Sequence, residues 1–165
     1  MMRVLVAYAS ERGGTAEIAE WVGDGLRQAG VDADVRPAGE ITTLEGYDAA
    51  VVGGALYGGR WHRAARRFVR RHADALAQRP VWLFSSGPLD RTAEEQEIVP
   101  APGVAKAARR VGANGHATFG GRLAPDAQGF LASKIAKRMS GDYRDRAHVT
   151  EWAAGVAREL RRVTV

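Results

Sequence analysis

Apolar positions follow two rhythms along this chain, and their alternation is what first constrains the fold. Val4-Leu5-Val6-Ala7 is a continuous apolar run, and after a short polar stretch the apolar positions Ile18, Ala19, Val22, Leu26 and Ala29 recur every three or four residues. The run predicts a strand within Met1 to Ala9, and the spacing predicts a helix from Thr15 to Ala29 stopped by Gly30. Val31 to Arg36 alternates apolar and charged side chains, as in a strand with one wet face, and Pro37 ends it. Asp48 to Gly53 is rich in valine and lacks that alternation, which predicts a strand covered on both faces.

The same reading places a loop over Gly54 to Trp61 and a helix over His62 to Gln78, with Ala65, Phe68, Val69, Ala73 and Leu76 inward. A fourth strand is expected over Pro80 to Ser85, a long loop from Ser86 to Pro102, a helix over Gly103 to Val111 and a fifth strand over His116 to Gly120. Helices are expected over Phe130 to Met139 and over Ala147 to Arg162. The last turns Val149, Trp152, Ala153, Val156 and Leu160 to one side, with Asp145 placed to cap its start. There is no internal repeat, linker or low-complexity tract. Strands that alternate with helices demand an α/β sheet with helices on both faces, here as a single domain over residues 1–165.

Composition narrows the chemistry. At 165 residues the chain has room for one proper core. It has no cysteine, so disulfides, thiol catalysis and CxxC zinc sites are excluded, and no metal site is expected. Its most apolar segment, Ala49 to Leu56, falls far short of the roughly 20 residues of a bilayer span. The start, with Arg3 and small residues at Ala7 and Ala9, has a superficial likeness to a signal peptide, but its apolar part is short and an amphipathic helix follows at once. It reads as the first strand, and a cytoplasmic location is the expectation. A net charge of +5 favours anionic partners without choosing among them.

In an open α/β sheet, ligands sit beyond the carboxyl ends of the strands where the strand order reverses. Three loops are expected there. The first, Ser10-Glu11-Arg12-Gly13-Gly14-Thr15, joins a strand to a helix start, whose free backbone N–H groups and dipole attract an anion, with hydroxyls from Ser10 and Thr15. A turn capped by Ser10 or Thr15 with no ligand is the competing account of the same residues. Neither GxGxxG nor GxxxxGK[ST] fits them, which argues against a dinucleotide or ATP site. The second loop, Gly54-Ala55-Leu56-Tyr57-Gly58-Gly59-Arg60-Trp61, offers Tyr57 and Trp61 for stacking against a flat ring, in competition with ordinary packing. The third, Ser85-Ser86-Gly87, offers small residues and backbone groups for the far side of that ring. A phosphate on one loop and a planar heterocycle between the other two describe FMN.

On these residues the chain resembles the flavodoxin superfamily. Within it the chain is most similar to the menaquinone-dependent protoporphyrinogen oxidase type, through Ser10 to Thr15, Tyr47-Asp48, Gly53 to His62, Phe68 to His72, Lys134 to Gly141 and Trp152. The resemblance implies a flavodoxin-like three-layer sandwich whose five parallel strands run in the order 2-1-3-4-5. It implies FMN held at its phosphate by Ser10, Arg12, Gly13, Gly14 and Thr15, with Glu11 in the same loop and its charge offset by Arg12. The ring would lie against Gly54, Ala55, Leu56, Tyr57, Gly58, Gly59, Trp61, Ser85, Ser86 and Gly87. It also implies an oxidoreductase of heme biosynthesis, passing electrons from a reduced small-molecule substrate through FMN to a quinone. The stretch Leu89 to Pro102 departs from that type, and it would overhang the ring.

The alternative is a flavodoxin-type carrier that shuttles electrons between redox proteins; a nucleic-acid partner would leave the phosphate loop and ring loops idle. No acid or base is nominated beyond His62, which follows the ring loop and competes with a plain cap; His72 reads as structural. The arginines Arg60, Arg63, Arg66, Arg67, Arg70 and Arg71 read either as a solvated helix face or as a docking surface for an anionic substrate or partner. Phe130 to Met139 mixes apolar and basic residues, so peripheral contact with the inner face of a membrane stands beside the plainer reading of a core-facing helix.

Overall fold

The computed structural model describes residues 2–10, 14–57, 60–87, 101–120, 122–123, 141–142 and 145–163. The chain starts with β1 (Arg3–Ala9), α1 (Gly14–Gln28) and β2 (Asp32–Pro37), followed by a single 3-10 turn at Ala38–Glu40. Then come β3 (Ala49–Tyr57), β4 (Arg60–Trp61), α2 (Arg63–Arg71), α3 (Ala73–Ala77) and β5 (Val81–Ser86). After β5 the described elements are α4 (Pro102–Val111), β6 (Gly115–Phe119), the short pair β7 (Arg122–Leu123) and β8 (Gly141–Asp142), and α5 (Arg146–Val163).

The main sheet runs β2-β1-β3-β5-β6 with every neighbour parallel. Counting only the parallel strands, this is the 2-1-3-4-5 order expected from the sequence. Side chains of its central strands alternate between two buried faces, which is why those strands read as apolar runs. Val4, Val6, Val51, Trp82 and Phe84 face α1 and α5. Leu5, Ala7, Val52 and Leu83 face α2, α3 and α4. Each of these nine side chains is at most 2% exposed. Trp82 also donates its indole N–H to Glu159 Oε2 at 2.9 Å, which ties α5 to the sheet.

At the amino ends of the strands the edges are pinned by polar groups. The Arg3 backbone N–H donates to Asp48 Oδ2 at 2.8 Å, its guanidinium lies 4.7 Å from the Tyr47 ring centroid, and the Tyr47 hydroxyl donates to Asp34. Burial, and next the Asp34 carboxylate that accepts its proton, push the Tyr47 hydroxyl above its ordinary value.

Two expectations need correction. Gly54 to Trp61 is not one loop: β3 continues to Tyr57, and the chain folds back so that Leu56 pairs with Trp61 and Tyr57 with Arg60. Glycine weakens a strand through backbone entropy and its missing side chain, but Gly53 and Gly54 are held in β3 by pairing with β1 on one side and β5 on the other. The helix over His62 to Gln78 is broken at His72, whose backbone (φ −110°, ψ 21°) caps α2 before α3 begins. The expected helix Phe130 to Met139 lies outside the described residues.

Candidate cofactor site

The parallel register brings the carboxyl ends of four strands level. Ala9 is opposite Gly54, Gly54 opposite Ser85, and Ser85 opposite Thr118. Above that line α1 spans Gly14–Gln28, so its amino end lies at the same rim. Thr15 is only 3% exposed and its Oγ1 lies 2.7 Å from Ser86 Oγ, itself 5% exposed, so the first and third predicted loops touch through two buried hydroxyls. Thr15 sits one residue inside the helix and serves it through this side-chain bond to β5.

Glycines shape the rest of the rim. A Cβ on Gly87 would stand 2.6 Å from the Cβ of Leu56, so the two strand ends approach as closely as backbone permits. The Gly87 N–H donates to the Phe119 carbonyl at 3.0 Å, and Ser85 Oγ lies 3.5 Å from Thr118 Oγ1, which joins β6 to the rim. Thr118 and Phe119 were missed in the sequence reading. The signal was present: in the order 2-1-3-4-5 the last strand also ends at this rim.

Trp61 belongs to the core rather than to the ring surface. It is 1% exposed among Ala65, Phe68, Val104 and their neighbours, and its indole N–H donates to the Phe84 carbonyl at 3.2 Å. Its pairing with Leu56 points it inward, where a large amphipathic ring with a satisfied N–H is worth more than at the surface. His62 is the N-cap of α2: its Nδ1 accepts from the Ala64 N–H at 3.0 Å, and its own backbone N–H donates to the Ala55 carbonyl at 2.8 Å. Ser10, Gly14, Thr15, Gly54, Ala55, Leu56, Ser85, Ser86 and Gly87 are therefore gathered at one end of the sheet. The backbone of Tyr57 continues β3 there. Glu11, Arg12, Gly13, Gly58 and Gly59 lie outside the described residues.

The donor set at this rim fits FMN. The hydroxyls of Thr15 and Ser86, beside the start of α1, are hard groups suited to a phosphate monoester. FMN held there would supply the electron transfer, and Gly14, Thr15 and Ser86 are the described residues that would lie nearest its phosphate and ring. Among the described residues no group of three or more His, Asp or Glu side chains is placed to hold a metal, and no helix is long and apolar enough to cross a membrane.

Comparison with known proteins agrees with this geometry. Residues 5–147 match the flavodoxin-domain family. A protein named protoporphyrinogen IX dehydrogenase [quinone], from Escherichia coli strain K12, is 31% identical over 97 residues, which are 58% of this chain and 54% of that protein. The aligned part thus spans about half the length of that relative. Among solved structures, an archaeal flavodoxin superposes with a TM-score of 0.66 at 15% identity, covering 97% of this chain and 99% of the other. A flavodoxin from Streptococcus pneumoniae TIGR4 does so with a TM-score of 0.60 at 20% identity, covering 99% of each. With strand order, rim and family match in agreement, the chain belongs to the flavodoxin-domain family and its cofactor is FMN.

Proposed function

We propose that the protein is an FMN-dependent oxidoreductase that removes hydrogen from a carboxylate-bearing substrate of the porphyrinogen class and delivers it to a quinone. The observation that carries the reading is the charge beside the rim. Arg60, Arg63 and Arg66 stand exposed where β4, paired with the rim end of β3, turns into α2. Arginines at that place suit the propionates of a porphyrinogen through paired N–H donors. The partial likeness to a quinone-linked protoporphyrinogen dehydrogenase points the same way.

A carrier that exchanges electrons with other redox proteins is the second reading. It is favoured by the full-length superposition on flavodoxins. The two differ in turnover. Under anaerobic conditions the FMN-loaded chain is mixed with protoporphyrinogen IX and menadione, and porphyrin fluorescence is followed. The enzyme reading expects fluorescence to grow with protein concentration. A rate equal to that of free FMN at the same concentration would leave only the carrier.

A further inference from the structure

The two helix layers of this molecule carry very different charge. On one side of the sheet, residues 60–79 and 101–111 contain nine arginines and one lysine against one carboxylate, Asp74. Two copies meeting through that layer would repel each other. On the other side α1 and α5 together carry five carboxylates and five arginines, so this is the side on which a second copy of the chain is tolerated.

The outward line of α5 has the charge order that such a contact requires. Val149, Ala153, Val156 and Leu160 are buried against the sheet. At about 3.6 residues per turn, the line opposite them holds Ala147, Glu151, Ala154, Gly155, Arg158 and Arg162. Glu151 and Arg158 are exposed, and neither takes an ion-pair partner among the described residues. They stand two turns apart on one helix, roughly 10 Å, too far to pair with each other. Between them the surface is low: the nearest atom to a Cβ on Gly155 would be in the Arg158 guanidinium, at 3.6 Å. Beside this line a groove of about 400 Å³ runs between α1 and α5, lined in part by Gly25, Ala29, Ala147, Glu151 and Ala154.

We propose that the protein forms a twofold-symmetric dimer in which α5 packs antiparallel on α5 of a second copy, centred between Ala154 and Gly155. In a twofold contact the same patch serves both copies. Glu151 and Arg158 lie at equal distances on either side of that centre, so each copy's Glu151 meets the other's Arg158 and both charges gain the partner they lack in the monomer. The small residues at the centre let the helices approach, and Arg162 of one copy lies across Ala147 of the other, at the groove. Val163 is the sole exposed large hydrophobic among the described residues, so the contact is polar and the dimer weak and salt-sensitive. His148, near the start of α5, meets Phe119 at the rim end of β6 with ring centroids 5.3 Å apart, while Glu159 takes the indole N–H of Trp82 near the amino end of β5. The helix thus runs away from the rim, and an antiparallel pair turns the two cofactor rims in opposite directions.

The test is analytical ultracentrifugation of the FMN-loaded full chain over rising protein concentration, at low and at high salt. A reversible monomer–dimer equilibrium is expected, weakening as salt rises. Glu151→Arg and Arg158→Glu each set like charges at both symmetric contacts and should weaken dimerisation at least about tenfold. The double reversal E151R/R158E restores opposite charges and should return it to within about threefold of the parent. R67Q/R70Q, on α2, should leave it unchanged, and FMN absorbance in every variant checks folding. A parent that stays monomeric at the highest concentration, single reversals that leave the dimer intact, a double reversal that fails to restore it, or loss of the dimer in R67Q/R70Q would each overturn the proposal.

Discussion

Thr15 and Ser86 are 71 positions apart in the chain and meet in a buried hydroxyl pair of 2.7 Å. Removing one hydroxyl leaves the other buried without a partner, which costs about 1–3 kcal/mol. Thr15→Val should lose about that much stability in urea denaturation and bind FMN about tenfold more weakly, whereas T15V/S86A should recover part of the stability but not the affinity. Trp61→Phe removes the indole N–H that donates to the Phe84 carbonyl and leaves the rest of the ring's burial in place. His72 makes a pH-dependent contribution. It is 8% exposed, its Nε2 is buried without a hydrogen-bond partner, and burial, followed by the neighbouring Arg71 charge, lowers its pKa from 6.5. Below pH 6.5 the unfolded chain takes up a proton that the folded chain resists, so stability falls as the pH drops through that value and levels off below the folded pKa. Above it the contribution is flat. Urea midpoints from pH 8 to pH 5 should therefore decline more steeply for the parent than for His72→Gln.

Elements were legible where one periodicity ruled. The apolar runs of β1 and β5 and the spacing of α1 and α5 leave little choice, and the observed bounds fall within a few residues of expectation. The β3–β4 hairpin was not legible. Its glycines resemble a loop until Gly53 and Gly54 are seen paired on both sides, a contact made by distant parts of the chain. Gly53 has a second role, since a Cβ there would stand 1.9–2.4 Å from Phe84 ring atoms. Gly53→Ala should destabilise the fold by about 2 kcal/mol or more, read as a lower thermal midpoint. Gly87→Ala, which collides with Leu56 at the rim, should weaken FMN binding more than it lowers the thermal midpoint. The break at His72 was hidden for a different reason. Apolar spacing runs through it unbroken, while the backbone departs from helix at that one residue.

At the scale of the molecule, alternation of strand and helix was enough to give an α/β sheet with helices on both faces, whereas its strand order came from the family resemblance. The placement of Trp61 in the core was not readable, because a loop aromatic and a core aromatic look alike in one dimension. Nor was the contrast between a basic and a charge-balanced helix layer, which requires knowing that α2 and α4 share a side. The central claim is that the rim from Gly14 to Gly87 holds a flat ring by its phosphate. It is tested most directly by titrating the apoprotein with FMN and with riboflavin under identical conditions and following flavin fluorescence. FMN should bind at one site and at least about 100-fold more tightly, since several charge-assisted hydrogen bonds depend on its phosphate. Equal affinity for the two flavins, or binding of neither, would contradict the account.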